Sequence, residues 1–150
     1  MKFNPAKITN KKQAQGYYYP KNPQKCGSKV IIYRSSWEKD FAVICDMNPS
    51  VLYYASEPCS IPYISPLDGK VHQYFPDFVV QYIDVDGKEH VEMVEIKPAK
   101  QFYMNLARTK KDKMTVLINQ AKAAAATEMC RQNGMTFRVL TEHELYGKKK

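Results

Sequence analysis

Tyr74-Phe75-Pro76-Asp77-Phe78-Val79-Val80, followed after a polar turn at Asp84 to Lys88 by Val91-Glu92-Met93-Val94-Glu95-Ile96-Lys97-Pro98, is the stretch on which the fold turns. Both halves are rich in β-branched and aromatic residues and are bounded by Pro and Asp-Gly, the pattern of two hairpin strands. Side chains alternate along a strand, so Glu95 and Lys97 share a face. Asp77 starts the first strand and joins that face in only one register. A two-residue Asp86-Gly87 turn pairs 85 with 88 and sets Asp77 opposite Ile96, pointing away. A three-residue Val85-Asp86-Gly87 loop pairs 84 with 88 and sets Asp77 opposite Glu95. That loop needs Gly87 in the left-handed conformation. A bulge in the pair is the other route to the same face.

Two carboxylates and a lysine in one place suit phosphodiester hydrolysis. Asp77 and Glu95 are hard oxygen ligands for Mg²⁺, which binds few protein carboxylates and keeps waters and phosphate oxygens. Lys97 supplies a compact positive charge to orient a water or stabilise the transition state. The alternative is that all three charges are solvated residues of an amphipathic hairpin.

Pro76-Asp77 followed by Glu95-Ile96-Lys97 resembles the signature of the PD-(D/E)XK nuclease family. Such a motif gains weight from its placement on two neighbouring predicted strands. Tyr33-Arg34-Ser35-Ser36-Trp37-Glu38 is similar to the first-helix element of phage and transposase endonucleases in that family. The resemblance implies Glu38 as a further catalytic acid and metal contacts from Asp77, Glu95, Ile96 and Glu38. It implies Mg²⁺ or Mn²⁺ as cofactor and duplex DNA as substrate. It also implies that Lys122, on the helix after the Glu-x-Lys strand, lies near the phosphate. The Tyr-Phe-Pro-Asp-Phe and Glu-Ile-Lys-Pro segments are most similar to nucleases of head completion in T-even-like tailed phages. That implies trimming of DNA ends, head or portal proteins as partners, and a place in the host cytoplasm or at the virion head. A transposition endonuclease subunit and a non-catalytic DNA-binding connector on the same fold are the competing readings.

A chain of 150 residues is long enough for one domain with a real core. No apolar run approaches membrane-spanning length and no secretory h-region opens the sequence, so a soluble, cytosolic protein with no membrane partner is expected. Cys26, Cys45, Cys59 and Cys130, and the three histidines, are scattered without metal-ligand spacing. Reduced thiols and no structural zinc follow. The net charge of +8 is concentrated. Residues 1 to 37 hold eight Lys or Arg and no acid, and the remaining 113 hold fifteen of each sign. Lysines displace phosphate counterions and tyrosine rings stack on bases, so residues 1–28 are predicted to be a basic DNA-binding arm preceding a nuclease domain over 29–150. Its candidate contacts are Lys11, Lys12, Tyr17, Tyr18, Lys21 and Lys25, with Arg34 beyond. A solvated tail is the alternative.

Val30 to Tyr33 is a candidate strand. Ser35 with Glu38 three residues on is a capping box opening a helix whose core face is Trp37, Phe41, Ile44 and Cys45. Glu38 therefore has two readings, cap or metal site. Val51 to Ser56 is a strand; Ile61-Pro62-Tyr63 and Pro66 to Gly69 read as connector and turn. Glu57, His72 and Tyr74 are neighbours of the site by position alone. The basic stretch Lys100, Arg108, Lys110, Lys111 and Lys113 is either a phosphate contact or a solvated loop. A long helix over Asp112 to Asn133 packs Val116, Leu117, Gln120, Ala124, Met129 and its alanine run on the sheet, ending at Gly134. A strand over Met135 to Leu140 and a helix capped by Thr141 and Glu144 close the chain. This order fits a restriction-endonuclease-like α/β fold, αβββαβ, with a central mixed sheet flanked by helices.

Overall fold

The structure, a computed structural model, describes residues 15–147. Its centre is a four-stranded sheet in the order β3-β6-β7-β8, made of β3 (Val51–Ser56), β6 (Phe78–Ile83), β7 (Glu89–Ile96) and β8 (Thr136–Leu140). β3, β6 and β7 run antiparallel, and β8 joins β7 in parallel. The parallel step requires a crossover, which α2 (Lys110–Gln132) provides. With α1 (Ser36–Met47) ahead of β3, the core order is αβββαβ, as expected.

Two short ribbons are added. β1 (Gly16–Tyr18) pairs with β2 (Ile31–Tyr33), and β4 (Ile61–Ile64) pairs with β5 (Val71–Tyr74). The second corrects the connector reading of Ile61 to Tyr63. Pro62 lacks a backbone donor, which a two-stranded ribbon tolerates because each strand is an edge. Pro76 then separates β5 from β6, so the predicted first hairpin strand begins at Phe78.

The β6–β7 register is the one the site requires. Ile83 faces Glu89 and Phe78 faces Val94, and one step further sets Asp77 against Glu95. The loop is held by Asp84 N–H donating to Lys88 O at 2.8 Å and Gly87 N–H to Asp84 O at 3.0 Å. The Asp84 carboxylate accepts the amides of Asp86 and Lys88 at 2.8 and 2.9 Å. Gly87 has φ +81°, where a side chain would be strained.

Alternation along β7 sends Val94 and Ile96 to one face and Met93 and Glu95 to the other. On the first face Val94, Ile96, Phe78, Val80 and Leu140 pack against Phe41, Ala42 and Cys45 of α1. The Phe41 and Phe78 rings lie 5.0 Å apart. On the second face α2 covers the sheet through Ala126 and Met129, with Ile61, Tyr74 and Phe137. Two helix faces differ from expectation. Ile44 is 48% exposed, its place in the core taken by Ala42 and Asp46. On α2 the buried positions are Val116, Asn119, Ala126 and Cys130, whereas Leu117, Gln120 and Ala124 face solvent. All four cysteines are free thiols.

Residues 16–28, within the predicted arm, pack onto the domain. The Tyr18 hydroxyl donates to Asp46 Oδ2 at 2.5 Å, and the amides of Lys21 and Asn22 donate to the same carboxylate at 2.8 and 3.0 Å. Cys26 bridges to Tyr54, and Gly27 N–H donates to Tyr54 O at 2.9 Å. A buried acid twenty-odd residues downstream therefore draws in this basic, proline-containing segment.

Candidate active site

The site lies where β6 begins and β7 ends. Asp77 Oδ2 accepts the Ile96 amide at 2.8 Å, which fixes its carboxyl against the C-terminal end of β7. Glu95 is 8% exposed. Its Oε1 accepts the Tyr74 hydroxyl at 2.5 Å, and its Oε2 lies 3.3 Å from Lys97 Nζ. Lys97 is itself positioned by its amide, which donates to Leu140 O at 3.0 Å. The carboxylate pair thus rests on a local hairpin, and the lysine on the junction of β7 with β8.

Glu38 stands at the first turn of α1, where it meets the Ser35 cap and also neighbours the site acids. Its Oε1 accepts the Arg34 amide at 3.2 Å, its Oε2 accepts the Ser35 hydroxyl at 3.3 Å, and its own amide donates to Ser35 Oγ at 3.2 Å. It also belongs to the electrostatic group around Asp77 and Glu95. Burial raises its pKa, the local hydrogen bonds and Arg34 oppose that, and Glu95 adds to the rise. Arg34 pairs with Glu57 instead of standing free for DNA. Glu57, at φ +45°, donates its amide to Asp77 O at 2.9 Å, so this ion pair braces the backbone of the site.

The Asp77 carboxyl is strongly perturbed. Burial, then the negative fields of Glu95 and Glu38, push its carboxyl well above the usual range against the Ile96 amide and Lys97. Crowded carboxylates of this kind are what a divalent cation relieves. Among the described residues no three His, Cys, Asp or Glu side chains gather closely enough to cage a metal by themselves. Mg²⁺ asks for no such cage, because one or two carboxylates with waters and phosphate oxygens complete its shell. Asp77 and Glu95 fit that requirement. The Ile96 side chain is buried in the core, leaving only its carbonyl oxygen for such a contact.

A pocket of about 10 Å³ lies beside the acids, lined by Tyr74, Glu95, Lys97, Asn119 and Lys122 among others. Lys122 reaches it from α2, its Nζ 5.7 Å from the centre of the Tyr74 ring and 5.9 Å from that of Tyr63. Burial and the nearby Lys97 lower its pKa. The structure thus brings Asp77, Glu95, Lys97, Glu38 and Lys122 to one place. It does not bring the proposed arm contacts there. Tyr18 is engaged by Asp46, and Lys25 Nζ donates to Asn48 O and Val51 O at 2.8 and 3.2 Å. Tyr17 is exposed, Lys21 is held through its backbone, and Lys11 and Lys12 lie outside the described residues. His72 is exposed and paired with Asp68. Sequence reasoning placed Tyr74 only near the site; its hydroxyl contact with Glu95 depends on the turn at Phe75-Pro76, which no periodicity announces.

The mixed sheet flanked by helices, with the Asp and Glu-x-Lys on adjoining strands, defines a restriction-endonuclease-like domain. The sequence model of the TnsA-like endonuclease N-terminal domain matches residues 48–142, and the chain belongs to that family. The head completion nuclease of Enterobacteria phage T4 is 34% identical over 142 residues, which cover 87% of this chain and 92% of that protein.

Proposed function

We propose that this protein is a divalent-metal-dependent DNA endonuclease acting in phage head completion, where it trims DNA ends in the host cell with head or portal proteins as partners. The observation that carries the chemistry is the opposition of Asp77 to Glu95 with Lys97 held 3.3 Å from the Glu95 carboxylate. Similarity to the phage T4 protein along nearly the whole chain supports the biological setting. A bound Mg²⁺ or Mn²⁺ supplies an acidified water and neutralises charge developing on the phosphate. Asp77 and Glu95 would hold that ion, with Glu38 tuning their charge from the first turn of α1. Tyr74 keeps Glu95 Oε1 occupied, so Oε2 is the oxygen turned to the reaction. Lys97 contributes positive charge next to that oxygen, where it can orient a water or the scissile phosphate. Lys122 adds a second cation on the pocket wall. The intact Asp77, Glu95 and Lys97 favour catalysis over a purely DNA-binding connector.

Plasmid nicking tests this reading. Wild-type protein should nick with Mg²⁺ or Mn²⁺ and stop on addition of EDTA, and Asp77→Ala should be inactive under both conditions. Cleavage that survives EDTA would refute the metal-dependent mechanism.

A further inference from the structure

The segment after Lys97 does not trail into solvent. It winds through two short 3-10 turns, Ala99–Gln101 and Met104–Leu106, before α2 starts. Ala99 N–H donates to Glu142 Oε1 at 2.8 Å, and Asn119 Nδ2 and Gln120 Nε2 donate to the carbonyls of Gln101 and Phe102 at 2.8 and 3.1 Å. Anchored on both sides, it forms one wall of an open cleft of about 690 Å³. Lys100, Arg108, Lys111 and His143 line that cleft together with Asp112 and Glu142.

Arg108 differs from the arginines elsewhere. The other three arginines are each ion-paired: Arg34 with Glu57, Arg131 with Glu128 and Arg138 with Glu92. Among the described residues Lys100, Arg108 and Lys111 make no ion pair, although two acids line the same cleft. One of those acids, Glu142, is engaged by the Ala99 amide. At the start of α2, Thr109 Oγ1 accepts the Asp112 amide at 3.0 Å. The free charges are side chains on a braced scaffold.

Position decides what they serve. Gln101 lines the cleft while its neighbour Phe102 lines the small pocket with Glu95 and Lys97, so one wall separates the two. Lys100 follows Lys97 by three residues, a span of at most roughly 10 Å. Along one strand of B-DNA that length carries about three phosphates at 3.4 Å of axis each.

We propose that this cleft is a second DNA-binding site, in which Lys100, Arg108 and Lys111 hold backbone phosphates flanking the one being cut. The proposal rests on the nuclease reading and adds to it the path of the substrate away from the metal. Phosphate contacts position the duplex without reading its sequence, so this cleft sets register and grip, not base preference.

The test uses full-length protein in an Asp77→Ala background and a salt titration of affinity for a short duplex. Arg108→Gln with Lys111→Gln should weaken binding about tenfold or more near roughly 50 mM salt and flatten the log–log salt slope by about 0.9 per lost contact. The charge-retaining pair Arg108→Lys with Lys111→Arg, and a control Lys88→Gln in the β6–β7 loop, should keep the parental slope. With Asp77 restored, the neutral pair should raise KM and leave kcat near the wild-type value. An unchanged slope in the neutral pair overturns the proposal while the nuclease reading stands. Loss of slope in both pairs overturns it too, because packing and not charge would then be responsible. A parent that binds no duplex, or cuts without metal, strikes instead at the nuclease reading itself.

Discussion

Two aspartates near α1 have opposite fates. Asp46 is fully buried, yet its pKa falls. Burial works to raise it, but the Tyr18 hydroxyl and the amides of Lys21 and Asn22 outweigh that by donating to the carboxylate. Asp77 receives one amide and faces two further carboxylates, and its pKa climbs. The first acid is saturated with donors and serves as a clasp. The second is left electrostatically unsatisfied, which is the state of a group that awaits a cation or phosphate-bound metal. Burial alone does not separate a structural carboxylate from a functional one; the inventory of donors does.

The comparison breaks most visibly in activity. Asp77→Asn, Glu95→Gln and Lys97→Ala should each lower plasmid nicking by at least about a hundredfold, whereas Asp46→Asn should leave the rate per folded molecule unchanged. Equal losses at Asp46 and Asp77 would erase the distinction. Stability should reverse the ranking. Asp46→Asn turns donors toward a donor and should cost about 3 kcal/mol in urea unfolding. Asp77→Asn should be neutral or stabilising in EDTA.

Acidity sharpens the contrast, because the two signs differ. A lowered carboxyl contributes stability that is present above the unfolded value of about 3.9 and is lost as pH falls through the folded value. A raised one contributes stability that is present below about 3.9 and is lost as pH rises through its folded value. Melting temperatures in EDTA should therefore show Asp77→Asn gaining on wild type as pH rises from about 4, and Mg²⁺ should close that gap by stabilising wild type alone. A smaller effect is expected one residue away from the chemistry. Tyr74→Phe keeps the ring but frees Glu95 Oε1, and nicking should fall about tenfold, roughly 1.4 kcal/mol of barrier, with little change in melting temperature. The mildest expectation concerns the N-terminus. Deleting residues 1–14 removes four lysines but spares the Asp46 clasp, so binding should weaken only at low salt, with a flatter salt slope. Deleting 1–25 should in addition destabilise the fold, since Tyr18, Lys21 and Asn22 go with it.

How much of this was legible depended on range. Asp86-Gly87 marked the turn and left two registers, and the local features that select the three-residue loop are Gly87 at positive φ and an Asp84 side chain that caps its own loop. The same holds for the Thr141–Glu144 box, closed by Thr141 N–H to Glu144 Oε1 at 2.6 Å, and for the Ser35 cap, although Glu38 returns its carboxylate to the Arg34 amide and not to that of Ser35. What sequence concealed was distant. Ile44 and Asp46 lie two residues apart on α1, and only the arrival of Tyr18 and Lys21 explains why the acid is inside and the isoleucine outside. Lys25 looked like a DNA contact by charge and instead caps carbonyls near the end of α1. The β4–β5 ribbon was hidden by Pro62, whose missing donor matters little at an edge.

The parallel pairing of β8 with β7 has a consequence for the life of the chain on the ribosome. The acids of the site meet within a hairpin, with the Ile96 amide 19 residues from Asp77. The support of Lys97 arrives only with Leu140, and that of the neighbouring segment only through a contact of 43 residues, Ala99 to Glu142. Contacts of such separation form late. A nascent chain therefore holds both carboxylates near one another well before it can brace the lysine beside them, and the candidate site is complete only when the last strand has been made.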